Sequence, residues 1–138
     1  MDEASRKRPL VTVLITAYNE AAYIEDAVQS VLDQTYSNLE AVVINDGSTD
    51  GTGDGLRRRF EDERLSVFNR GRNGRVFSLN YGLEVANGTF VAVLDADDRC
   101  MPRRIEKQVD YLLADEEAGV VGSYYQRKDD IRGEQYVR

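Results

Sequence analysis

Val91-Ala-Val-Leu-Asp95-Ala-Asp97-Asp98 is the stretch from which both the fold and the chemistry can be read. Four apolar residues with the character of a buried strand stop abruptly at three carboxylates. Alternation along an extended chain sends Asp95 and Asp97 to one side and Asp98 to the other. Carboxylates on one side repel each other unless a cation or a donor-rich ligand lies between them. Hard oxygen ligands suit Mg²⁺ or Mn²⁺, bound through one or two carboxylates together with substrate phosphates and water. A solvated acidic turn would explain the same residues, so the rest of the chain must decide.

Outward from this strand, apolar runs alternate with helical patterns. Leu10-Val-Thr-Val-Leu-Ile15 reads as a buried strand introduced by Pro9. Ile24, Ala27, Val28, Val31 and Leu32 fall at helical spacing with polar residues between them. Leu39 to Ile44 is a second strand, Leu56 with Phe60 marks a short arginine-rich helix, and Leu65-Ser-Val-Phe68 is a third strand. Val76, Leu79, Leu83 and Ala86 trace another helix ahead of the strand Phe90 to Leu94. Pro102 stands where a first-turn proline belongs, before Ile105, Val109, Leu112 and Leu113 on one helical face. Gly119-Val-Val-Gly122 is expected to begin a last strand. This order predicts an α/β fold, a mostly parallel Rossmann-like sheet with helices on both faces and right-handed crossovers.

The order has a chemical consequence. In open α/β sheets, ligands bind at the carboxyl ends of the strands, near the point where strand order reverses. Three polar clusters follow strands: Thr16-Ala-Tyr-Asn-Glu20, Asn45-Asp-Gly-Ser-Thr-Asp50 and Asp95-Ala-Asp-Asp98. All three should line one edge of the sheet, which a single solvated turn does not explain. The second cluster opens like a calcium loop, but position twelve would be Arg57 where a bidentate Glu is required, and a strand precedes it. The better reading is a strand-to-helix turn. Gly47 allows tight backbone geometry and Thr49 or Asp50 caps the next helix, leaving Asp46 free to accept hydrogen bonds from a ligand.

Composition bounds the function classes. The 138 residues, 41% hydrophobic and 31% charged, suit one globular domain. A net charge of -7 argues against a nucleic-acid surface, which wants a basic stripe. It does not exclude phosphate ligands, because a bound divalent cation reverses the local sign. The single cysteine, Cys100, forms no internal disulfide and fits a reducing compartment. No apolar run approaches membrane-span length. Met1 to Arg8 mixes charges and leads into no apolar core, so no secretory signal is expected there. A dehydrogenase would need G-x-G-x-x-G after the first strand. A nucleotidyltransferase would show a glycine-rich basic loop there. A phosphoacceptor domain would want acids after strands one and three and a late lysine. None of these patterns is present.

Taken in order, Thr16-Ala-Tyr-Asn-Glu, Ser30-Val-Leu-Asp-Gln-Thr-Tyr36, Asn45-Asp-Gly-Ser-Thr-Asp-Gly-Thr52, Asn73-Gly-Arg and Leu94-Asp-Ala-Asp-Asp98 resemble the nucleotide-binding half of family 2 glycosyltransferases, inverting enzymes with the GT-A fold. The resemblance spans roughly Leu10 to Gly122. It departs at Asn45, where relatives often carry a second acid. It implies that Thr16, Ala17 and Tyr18 line the base and ribose pocket, Tyr18 offering its ring face, with Glu20 in the same contact set. It places the base-contacting acid at Asp46, Asp95 near the ribose or sugar, and Asp97 as chief ligand of Mn²⁺ or Mg²⁺. Gly74 and Arg75, at a helix start, would meet the diphosphate, with Arg72 a competing candidate.

The implied partners are a nucleoside diphosphate sugar, UDP-linked first, and a saccharide or lipid-linked acceptor, as in polysaccharide, cell-envelope or glycolipid synthesis. The implied setting is cytoplasmic, at the inner membrane face where the acceptor is lipid-linked. The expected organisation is a polar arm over 1–9, a nucleotide-sugar-binding domain over 10–124, and a polar tail or the start of an acceptor-binding region over 125–138. The catalytic base is expected beyond Arg138, with Asp129 and Asp130 the carboxylates at hand in the tail. The competing reading is a nucleotide-sugar-binding module without transfer activity.

Overall fold

The computed structural model describes residues 8–128 and 135–137. Four parallel strands, β1 (Val11–Ala17), β2 (Leu39–Asp46), β3 (Leu65–Arg70) and β4 (Phe90–Asp95), form one sheet in the order β3-β2-β1-β4. The helices between and after them are α1 (Ile24–Leu32), α2 (Thr52–Arg59), α3 (Arg75–Val85) and α4 (Arg104–Ala114). The chain steps outward from β1 to β3, then returns across β2 and β1 to lay down β4. With a constant crossover hand, reversing direction moves the connecting helix to the opposite face. That is what the packing shows. α1, α2 and α4 share one core cluster with β1 and β2, while α3 alone packs over Leu14, Val42 and Ile44 on the other face.

Each element follows from its residues. In β1, VTVLITA is rich in β-branched side chains, which fit a pleated, buried surface, and nearly all of it is buried. α1 buries Ile24, Ala27, Val28, Val31 and Leu32, the i, i+3, i+4, i+7 and i+8 positions, and each large member contributes about 1.5–3 kcal/mol by leaving water. α2 carries two interior glycines and one large apolar anchor, Leu56. Its Arg57, Arg58 and Arg59 sit in the last turn, where cations favour the helix dipole.

Two expectations change. Gly119 to Gly122 forms no strand: residues 119–125 are irregular and Val120 is 90% exposed. A two-valine run between glycines gains little from pairing, and among the described residues the outer edge of β4 has no partner strand. Pro102 lies two residues ahead of α4 rather than in its first turn, and its carbonyl accepts from the Thr35 amide at 2.9 Å. Beyond it, β5 (Gln126–Lys128) pairs antiparallel with β6 (Gln135–Val137) within the stretch expected as a tail. Asp129 and Asp130 lie outside the described residues.

Candidate active site at the carboxyl edge of the sheet

Strand alternation builds the site. On β1, Val13, Ile15 and Ala17 enter the three-helix core, so Leu14 and Thr16 face α3. On β2, Val42 and Ile44 face α3, and Asp46 continues that row. On β4, Ala92 and Leu94 face the three-helix core, which leaves Asp95 on the α3 side. Thr16 and Asp95 are direct neighbours in register. At the edge where strand order reverses, these residues line an open cavity of about 310 Å³ together with Ala17, Tyr18, Glu20, Arg72, Arg75, Ser78, Ala96 and Asp97. Eight of the nine residues expected from the sequence therefore meet in one place. The ninth, Gly74, lies behind the wall and donates its amide to Asp46.

The carboxylate cluster is tighter than alternation predicted. Asp98 was expected to turn away, yet one oxygen each from Asp95, Asp97 and Asp98 lies within 4.8 Å of the others. The strand ends at Asp95, and the amide of Asp98 donates back to the Asp95 carbonyl at 3.0 Å. Once the chain turns, period-two alternation no longer governs Asp98. Burial first, then Asp97 and Asp95, push the Asp98 carboxyl above its ordinary value, against the pull of Arg104. Glu20 is raised as well, by burial first and then by Asp97, Asp50 and Asp95. These groups form a concentration of negative charge with hard oxygen donors, which a divalent cation would neutralise.

Asp46 is not free, as the sequence suggested. It is 2% exposed and accepts from the amides of Asn73, at 2.7 Å, and Gly74, and from the guanidinium of Arg72. The loop after β3 thus folds down onto this one carboxylate. Gly47 makes room for it: its φ is +71°, and a Cβ there would meet the Arg72 amide nitrogen at 2.7 Å. The same Arg72 places its guanidinium carbon 3.8 Å from the centre of the Tyr18 ring. Arg75 pairs with Asp95 at 2.7 Å. Both arginine side chains remain about half exposed, at 52% and 57%, and so are free to re-pair with a ligand.

Much of the remaining motif is scaffolding. Asn19, at φ 53°, donates its amide to Ser48 Oγ and accepts from the Thr49 amide. The amides of Glu20 and Ala21 donate to Thr52 Oγ1 and Asp50 Oδ2. Asp50 also accepts from the amide and hydroxyl of Thr52 at the start of α2, but the N-cap position is taken by Gly51, at φ 84°, rather than by the Thr49 or Asp50 expected. These bonds fasten the loop after β1 to the loop after β2. Asn45 is buried within the fastening: its Nδ2 donates to Asn69 Oδ1 at 2.9 Å and its Oδ1 accepts from Ser48. Asn45 thus supplies the donor of the first bond and the acceptor of the second.

The cavity lies at the switch point of a parallel sheet, walled by carboxylates and arginines, where open α/β sheets bind their ligands. The chain belongs to glycosyl transferase family 2, whose pattern matches residues 12–138. It is 41% identical over 134 residues to an uncharacterized glycosyltransferase of Haemophilus influenzae, covering 93% of this chain and 42% of that one. It is 42% identical over 108 residues to TuaG of Bacillus subtilis, whose provisional name assigns it to teichuronic acid biosynthesis, covering 77% of this chain and 43% of that one.

Among solved structures, it resembles the mannosyltransferase PcManGT of Pyrobaculum calidifontis in complex with GDP-Man and Mn²⁺ (TM-score 0.71, 36% identity, 76% of this chain and 32% of that one). It also resembles S. aureus TarS in complex with UDP-GlcNAc (TM-score 0.70, 26% identity, 75% and 31%). The fold is therefore that of the GT-A glycosyltransferases. The chain spans less than half the length of these relatives. Among the described residues, no helix is long and apolar enough to cross a membrane.

Proposed function

We propose that residues 10–124 form the donor-binding part of a metal-dependent, inverting glycosyltransferase that takes a nucleoside diphosphate sugar and passes the sugar to an acceptor hydroxyl. The observation that carries this reading is the convergence of Asp95, Asp97 and Asp98 with Tyr18, Asp46 and Arg75 on one cavity. Asp97, with Asp95 and Asp98 beside it, would hold Mn²⁺ or Mg²⁺. A bound cation of this kind supplies Lewis-acid stabilisation to a departing diphosphate. The chain's own groups do the rest. Tyr18 offers a ring face to the base once Arg72 moves off it, and Arg75 can exchange Asp95 for a phosphate oxygen. The loops after β1 and β2, fastened by Asn19 and Asp50, keep these groups in place before ligand arrives, which lowers the cost of ordering them.

UDP is the nucleotide expected first. The likeness to a protein solved with GDP-Man makes GDP the second candidate. The acceptor is a saccharide or a lipid-linked saccharide, which would bring a cytoplasmic protein to the inner face of the membrane. The base that takes the acceptor proton lies outside residues 10–124 in this reading. The test is product formation from a panel of UDP- and GDP-sugars with hydroxyl acceptors, in Mn²⁺ and in chelator. Metal-dependent transfer with inverted anomeric configuration supports the proposal. Donor binding without turnover under any acceptor would favour a binding module.

A further inference from the structure

Ser78 is fully buried, and its hydroxyl is the one buried side-chain polar atom without a hydrogen-bond partner among the described residues. Buried hydroxyls are nearly always paired, and an unpaired one costs free energy in proportion to the hydration it has lost. Its position is fixed by the packing of α3. Gly82, one turn further on, sits so close to β1 that a Cβ there would meet Leu14 Cδ1 at 2.3 Å. Four residues of helix rise about 6 Å and two residues of strand about 6.6 Å. Stepping from Gly82 back to Ser78 therefore matches stepping from Leu14 forward to Thr16. Ser78 lies over Thr16 on the cavity wall, one turn below an α3 N-terminus that has no side-chain cap. To one side is Asp46 with the Tyr18 ring, to the other Asp95 with the metal-binding carboxylates.

We propose that Ser78 is a binding residue for the nucleoside part of the donor, its hydroxyl bonding a ligand oxygen or nitrogen between the base end and the diphosphate end of the cavity. This rests on the reading of the site as a nucleotide-sugar pocket. Ser78 is closed off from solvent, so the ligand reaches it as the half-exposed guanidinium groups of Arg72 and Arg75, which line the same cavity, swing to new partners. The arrangement predicts an unusual pairing of effects. Removing the hydroxyl should leave the ligand-free fold as stable or more stable while weakening nucleotide binding.

The experiment is calorimetry of the parent and Ser78→Ala with UDP and Mn²⁺, or GDP if the parent binds that instead. Pyrophosphate is titrated as a competitor, and ligand-free melts are run alongside. Ser78→Cys, which keeps an atom at the γ position but replaces the hydroxyl by a larger, weaker donor, gives the same contrast should the alanine disturb α3. Nucleotide affinity lower by about 3- to 10-fold, with unchanged pyrophosphate competition and an unchanged or higher melting temperature, supports the assignment. Equal nucleotide affinity in parent and variants overturns it, and so does a loss shared equally by pyrophosphate, which would put the contact on the phosphates. Failure of the parent to bind either nucleotide would instead overturn the underlying reading of the site.

Discussion

Replacing Asp46 by alanine should damage the fold and the site together, through the loop that follows β3. The carboxylate accepts from two backbone amides, at Asn73 and Gly74, and from the Arg72 guanidinium. Hydrogen bonds to a charged acceptor are worth about 1.5–3 kcal/mol each when both groups are buried. Asn73 and Arg72 are exposed and Gly74 only half-buried, so water recovers much of that loss. A net destabilisation of about 1–3 kcal/mol is expected. For a chain of this size, each kcal/mol lowers the melting temperature by about 3–5 °C. Thermal melts of Asp46→Ala should therefore fall by roughly 3–15 °C. Calorimetry should show nucleotide affinity lowered further, because the loop that carries Arg72 and leads into Arg75 at the start of α3 loses its anchor. A variant melting with the parent and binding nucleotide with parental affinity would refute this reasoning.

Three further outcomes can be measured. Burial alone would raise the Glu40 carboxyl, but bonds from Thr12 Oγ1, the Asn87 amide and Asn87 Nδ2 outweigh it and hold the group below its ordinary value. Such a group stabilises the fold above its unfolded pKa and loses that contribution as pH falls through its folded pKa. Glu40→Gln should thus melt lower than the parent near neutral pH, with the gap closing in acid. Asp98 is raised, so it costs stability at neutral pH and the cost is relieved on acidification. Metal-free Asp98→Asn should melt higher than the parent at pH 7, less so in acid, and bind Mn²⁺ more weakly. Gly47→Ala combines a left-handed backbone with a clash against the Arg72 amide, and should lower the melting temperature and weaken nucleotide binding together.

The fold was legible because apolar runs and helical patterns alternate from Leu10 to Leu113, and the cavity because parallel topology sends every strand-end cluster to one edge. In α3, however, the expected stripe chose the wrong face, Val76 and Leu83 being exposed and Ser78 and Gly82 buried. What failed was local. Asp98 was misplaced because alternation was carried one turn past the end of β4, where the chain bends back onto the Asp95 carbonyl. Asp46 looked free because nothing in Asn73-Gly-Arg announces that two amides will fold down onto a carboxylate 27 residues upstream. The valines of Gly119 to Gly122 carried β-propensity, but two residues between glycines are too short a run to pair along the open edge of β4. Ser78 was invisible as a polar residue in a helix. The signal was there, since Ser78 and Gly82 are small residues four apart on one stripe, the mark of a close approach to the sheet.

The central claim is that the Asp95, Asp97 and Asp98 turn joins a divalent cation to a nucleoside diphosphate. Titration of UDP and of GDP into the parent and into Asp97→Ala, each in Mn²⁺ and in chelator, tests it most directly. The account predicts that the parent binds one of the two nucleotides in Mn²⁺, and that chelator or Asp97→Ala reduces that affinity by a factor of ten or more, about 1.4 kcal/mol. Nucleotide affinity untouched by chelator and equal in the two proteins would contradict it.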